Sequence, residues 1–137
     1  GVGKTFLSYC IAKELLDTTH SVIYYSAFDL FDVFARKTFS NSEESQGEND
    51  YLLDCDLLII ADLGTELTNS FVASQFFLCV NERILRKKST IISTNLTLGS
   101  FMDTYSERVF SRVSSNYTMI KLIGSDIRIQ KKLLGGI

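Results

Sequence analysis

The residues GVGKT, 1 to 5, run straight into a stretch with helical spacing, and that junction constrains the fold more than any other feature of the chain. They match the last five places of the phosphate-binding loop G-x-x-x-x-G-K-[ST]. Glycines let the backbone fold so that its N–H groups converge on phosphate oxygens, and Lys4 supplies a point charge for the β and γ phosphates. Thr5 offers a hydroxyl to Mg²⁺, and the helix that follows presents its positive end to the same anion. The first glycine of the motif falls before residue 1.

The rest of the chain alternates helical and strand-like segments. From Phe6 to Leu16, Leu7, Cys10, Ile11 and Leu15 share one helical face, which predicts an amphipathic helix buried on that side. SVIYYS, 21 to 26, reads as a buried strand, and Phe28, Phe31, Ala35 and Phe39 then recur at helical spacing as core positions. SNSEESQGEND, 40 to 50, is polar, acidic and glycine-containing, and reads as a long internal loop. DLLIIADLG, 56 to 64, is a strand closed by Asp62 and Gly64, followed by GTELTNS as a loop. Phe71 to Lys87 predicts the longest helix, with Phe77, Val80, Ile84 and Leu85 inward. STIISTN, 89 to 95, reads as another strand, LTLGSFMDTYSERVFSRVSSN as one or two helices, and TMIKLI, 118 to 123, as a closing strand. Strands separated by helices and apolar on both faces predict a parallel α/β sheet.

Bulk properties bound this reading. A chain of 137 residues with 45% hydrophobic content supports one compact domain, and its net charge of −2 supplies no basic footprint for nucleic acid. The densest basic run, Arg83, Arg86, Lys87 and Lys88, reads as the solvated end of a helix. Cys10, Cys55 and Cys79 are odd in number and sit among apolar neighbours, which predicts small core residues in a reducing compartment, the cytoplasm. No apolar run approaches the roughly 18 residues of a membrane span. The start at Gly1, without an initiator Met, reads as a fragment.

A phosphate loop needs a second strand that brings a carboxylate to the metal, and LLIIAD has that form. Many phosphate-loop ATPases carry two adjacent acids here; this chain has one. Either Asp62 is the metal acid and Leu63 occupies the place of the base, or Ala61 replaces the metal acid and Asp62 is the base. Asn95, ending a strand, is a turn residue or a contact to the γ-phosphate or the attacking water. Arg108 and Arg112 lie four apart, hence on one helical face, in surface salt bridges or facing a ligand. Arg128 is a structural arginine or a phosphate contact.

Taken in order, GVGKT, LLIIADLGTE, TIISTNL, YSERVFSRV and KLIGSDIR resemble the AAA+ ATPases of the DnaC/DnaI helicase-loader and IstB transposition-helper family, over essentially the whole chain. The resemblance implies an ATP-dependent switch protein that binds single-stranded DNA and delivers a replicative DNA helicase or, in the IstB branch, assists a transposase. By position, Gly1, Val2, Gly3, Lys4 and Thr5 match the Walker A loop, with Thr5 a Mg²⁺ ligand. Asn95 matches sensor 1, Arg112 the arginine finger that reaches the ATP of the next subunit of a homo-oligomer, and Arg128 the second sensor. The pair Leu63–Gly64 anchors the Walker B register, so that Ala61 stands where the first acid belongs and Asp62 matches the second. That departure bears on hydrolysis more than on binding. The family fold is a three-layer sandwich with sheet order 5-1-4-3-2 and a first strand ending just before Gly1. On that reading residues 1–137 are one AAA+ core truncated within the Walker A loop, destabilised because TMIKLI lacks its neighbour.

Overall fold

The computed structural model of the chain describes residues 3–39, 43–64 and 69–123, with the side chains of 37–39 and 43–46 outside the description. Gly1, Val2 and Arg128 lie outside the described residues. The elements follow in the order α1 (Lys4–Leu16), β1 (Val22–Ser26), α2 (Ala27–Phe39), α3 (Glu43–Asp54), β2 (Leu57–Leu63), α4 (Ser70–Leu85), β3 (Ser89–Thr94), α5 (Leu98–Tyr105) and α6 (Glu107–Asn116). The three strands form one parallel sheet in the order β1-β2-β3, with Val22 opposite Leu57 and Leu57 opposite Ser89.

Strand β2 is central and buried on both faces, as its unbroken run of Leu and Ile demands. Leu58, Ile59 and Ile60 are fully buried, each contributing about 2 kcal/mol by removal from water. Alternation sends Leu57 and Ile59 toward α1, where they pack on Ala12, and Leu58 and Ile60 toward the other layer. That second layer is the larger one. Leu30, Phe31, Phe34, Leu52, Phe76, Val80, Phe101, Tyr105, Val109 and Val113 from α2 to α6 form its single core cluster. At the amino ends of β1 and β2, the Ser21 N–H donates to Asp56 Oδ2 at 2.9 Å and the Asp56 N–H donates to Ser21 Oγ at 2.9 Å. The Ser21 N–H first, then the Ser21 hydroxyl at 3.3 Å from Oδ2 and Lys88 beyond, hold the Asp56 carboxyl below its usual pKa.

Several sequence expectations are corrected. The loop expected over 40–50 is largely the start of a helix, 43–54, because Leu52 anchors its apolar end in the core and the Tyr25 hydroxyl donates to Glu48 at 3.1 Å. On α1 the inward face is Ser8 and Ala12, while Leu7, Cys10 and Ile11 are exposed: small side chains let the helix lie close on the sheet. Phe28 is exposed, since Ala27, Leu30, Phe31 and Phe34 define the buried stripe of α2, and Leu85 is likewise exposed on α4. Cys55 and Cys79 are buried, as expected of core cysteines. TMIKLI forms no strand: residues 118–123 are exposed and pair with none of the three described strands.

Arg83 overturns the reading of the basic run. It is fully buried, and all five of its N–H groups are used. Nη1 donates to Leu52 O at 2.6 Å and to Cys55 Sγ at 3.3 Å, Nη2 to Cys55 O at 3.0 Å and Ser89 O at 2.7 Å, and Nε to Thr90 Oγ1 at 2.9 Å. The cation therefore caps the negative end of α3 and ties it to the start of β3. Arg86 does behave as surface charge, pairing with Asp54 at 2.6 Å and Glu82 at 2.9 Å.

Candidate functional site

The start of α1 and the ends of β2 and β3 meet at one rim of the sheet, the carboxyl end of its strands, where ligands of open α/β sheets bind. Gly3 precedes α1 in the left-handed region at φ 96, and its carbonyl accepts from the Leu7 N–H at 2.9 Å, so the first turn forms directly behind a glycine bend. Lys4 is the first helical residue. Its ammonium donates to Asn95 Oδ1 at 2.7 Å, which joins two expected site residues 91 positions apart. Thr5 follows with its side chain exposed.

Strand β2 does not leave the sheet straight. Ile60 pairs with Ile92, but Leu63 pairs with Thr94, so one extra residue is taken up at a bulge. Asp62 occupies it with φ 58, a conformation that Asp tolerates better than most residues. Two consequences follow. Leu63 swings to the same core cluster as Leu58 and Ile60, although simple alternation would send it to the α1 face. Asp62 is lifted out to solvent, while its N–H donates to Ser93 Oγ at 3.3 Å. The bulge is pinned further by the Thr94 hydroxyl, which donates to Leu63 O at 2.6 Å and accepts from the Leu96 N–H at 3.0 Å.

Ala61 is 2% exposed and, by alternation with Leu57 and Ile59, belongs to the face that α1 covers. Position 61 itself therefore presents no carboxylate to that face. The charge of Asp62 nevertheless reaches that face: the Tyr24 hydroxyl is pushed above its ordinary pKa, first by burial, then by Tyr9 and by the Asp62 carboxylate. Tyr9 of α1 stacks on Tyr24 with ring centroids 5.0 Å apart.

Hard oxygen donors for Mg²⁺ are present in Thr5 and Asp62, one on α1 and one at the end of β2. Among the described residues no group of three or more His, Cys, Asp and Glu side chains could hold a metal alone. This donor set fits an ion that draws its remaining ligands from phosphates and water, and a Mg²⁺ held so would neutralise charge on those phosphates.

Arg112 is not brought to this rim. It lies exposed on α6, in the helical layer opposite α1, lining a cleft with Phe77, Arg108, Ser111, Ser115 and Asn116. Among the described residues Arg108 has no carboxylate partner; it lies over the Phe77 ring at 4.1 Å, a cation–π contact that sequence spacing did not suggest. Sequence reasoning also missed Tyr9, Tyr24 and Ser93; the strand positions of Tyr24 and Ser93, near the ends of apolar runs, were the available signal.

Comparison with known proteins is consistent with this geometry. Residues 1–133 match the family described as IstB-like ATP binding protein. The replicative helicase loader DnaC of Escherichia coli (strain K12) is 30% identical over 115 residues, 82% of this chain and 46% of that protein. The chain thus spans less than half the length of the curated relatives that it matches. Among solved structures, that of the DnaC helicase loader superposes with a TM-score of 0.77 at 20% identity, covering 90% of this chain and 73% of that one. AMPPCP-bound DnaA from Aquifex aeolicus superposes with a TM-score of 0.78 at 22% identity, covering 99% and 41%. These likenesses show the α/β fold of AAA+ phosphate-loop ATPases.

Proposed function

The chain belongs to the family of IstB-like ATP binding proteins, and from that premise we propose that it is an AAA+ nucleotide-binding core of the helicase-loader type. It binds ATP at the rim formed by α1, β2 and β3, and couples the bound state to single-stranded DNA and to delivery of a replicative DNA helicase in the cytoplasm. The observation that carries the reading is the contact of Lys4 with Asn95, which puts a phosphate-binding cation beside a polar amide at the carboxyl end of a parallel sheet. The likeness to DnaC supports the loader branch, and the IstB-like description keeps a transposase as the alternative partner. Among the described residues no helix is long and apolar enough to cross a membrane.

In this reading Gly1, Val2 and Gly3 supply backbone N–H groups to the phosphates, Lys4 a point charge and Thr5 a metal-facing hydroxyl, with Arg128 a further phosphate contact. Asp62 polarises the attacking water or holds the metal shell, and Asn95 orients the γ-phosphate. Arg112, exposed on α6, serves the site of the next subunit in a homo-oligomer, which explains why it lies apart from Lys4.

A second reading, that ATP is bound but turned over poorly, is favoured by Ala61, buried where the α1 face would otherwise receive an acid. One set of variants of the full-length protein tests both. Lys4→Ala is expected to weaken ATP binding by at least about tenfold, through loss of one charge-assisted contact; unchanged affinity removes the nucleotide site. Ala61→Asp is expected to raise turnover by about 10²-fold or more, the scale of one well-placed electrostatic group. Rapid turnover in the unaltered protein would dismiss the slow-ATPase reading.

A further inference from the structure

Among the described residues Lys4 is held by a neutral amide rather than by a carboxylate. Its Nζ lies 2.7 Å from Asn95 Oδ1, and the residue that alternates onto the α1 face at the end of β2 is Ala61, which has no acid to offer. Lys4 is also the first residue of α1, the end of a helix where a cation is disfavoured. Asn95, exposed just after β3, supplies an acceptor there.

We propose that Asn95 is a displaceable partner that positions Lys4 in the ligand-free site, so that an incoming phosphate must take the ammonium away from Oδ1. This rests on the nucleotide reading above. A phosphate oxygen is the stronger acceptor, so the exchange runs toward the ligand, yet the broken bond lowers the affinity of every phosphate ligand by the same factor. A carboxylate at position 95 would hold Lys4 as an ion pair and repel the ligand as well.

The contact makes Asn95 a positioning residue whose variants act in opposite directions. Asn95→Ala releases Lys4, and the affinity of the full chain for ADP is expected to rise about threefold to tenfold, the net worth of one ordinary hydrogen bond, since this contact is exposed to water. Asn95→Asp is expected to lower it by about tenfold or more. ADP is the probe because it has no γ-phosphate, so any contact between that group and Asn95 stays out of the comparison. An asparagine with a purely architectural role would weaken binding in both variants. A second readout needs no nucleotide: the rate at which an acylating amine reagent labels Lys4, read by peptide mass, should rise in Asn95→Ala and fall in Asn95→Asp. An unchanged labelling rate, or an ADP affinity in Asn95→Ala no higher than in the unaltered protein, overturns the proposal. If the unaltered protein binds neither ADP nor ATP, the nucleotide reading fails, and the labelling rate still decides whether Asn95 holds Lys4.

Discussion

Gly64 is the residue on which the exit from β2 turns. Its φ is 102, and a Cβ placed there would meet Leu96 Cγ at 2.6 Å and Cδ1 at 2.7 Å. Gly64→Ala is therefore expected to cost about 1–3 kcal/mol, part backbone strain and part collision, measured as a shift of the urea midpoint. Adding Leu96→Ala should recover the collision part and leave the strain. The glycine itself was legible in the sequence as part of the Leu63–Gly64 pair that set the register of Asp62. Its cause was not, because the left-handed turn and the approach of Leu96 arise from a residue 32 positions away. The same holds for Asp62, whose bulge depends on pairing with β3 and leaves no trace in the local pattern of DLLIIADLG.

Among the elements, α3 and α4 show where pattern reading succeeds and where it fails. Val72, Phe76 and Val80 recur every four residues along the buried side of α4, and Arg83 continues that stripe three residues later. Spacing thus carried the signal for a buried Arg83. The competing cue, membership of a run with Arg86, Lys87 and Lys88, concealed it. Arg83→Met is expected to cost about 3 kcal/mol or more, because the carbonyls of Leu52, Cys55 and Ser89 lose their donors inside the core. Arg83→Lys should restore little, since one ammonium cannot reach five acceptors in a plane. Arg86→Met, which breaks only exposed ion pairs, should cost less than about 1 kcal/mol. Denaturant unfolding of the three variants separates these cases. Helix α3 escaped sequence reading for a related reason: its first half is polar, and the contacts that order it, Leu52 and Glu48 to Tyr25, come from other elements.

In the whole molecule the two faces of the sheet are unequal. One carries the aromatic core, where Phe76 packs on Phe31 at 5.8 Å and on Tyr105 at 5.3 Å; the other is covered by α1 alone among the described residues, through Ala12 on Leu57 and Ile59. Phe76→Ala is accordingly expected to cost about 3–5 kcal/mol, and Phe6→Ala, at a side chain 74% exposed, under about 0.5 kcal/mol, by thermal or denaturant unfolding. The parallel α/β class, the three paired strands and the rim that gathers Lys4 and Asn95 were readable from apolar runs and one glycine-lysine motif, whereas the apolar run TMIKLI misled, being no strand. The inward side of α1 was not, because Ser8 and Ala12 are chosen for closeness to the sheet and carry little hydrophobic signal. The chain contains six tyrosines and no tryptophan, so its near-ultraviolet emission is tyrosine light alone. With Tyr9 on the helix and Tyr24 on the strand beneath, stacked 5.0 Å apart, the molecule carries its own optical gauge of whether α1 rests on the sheet.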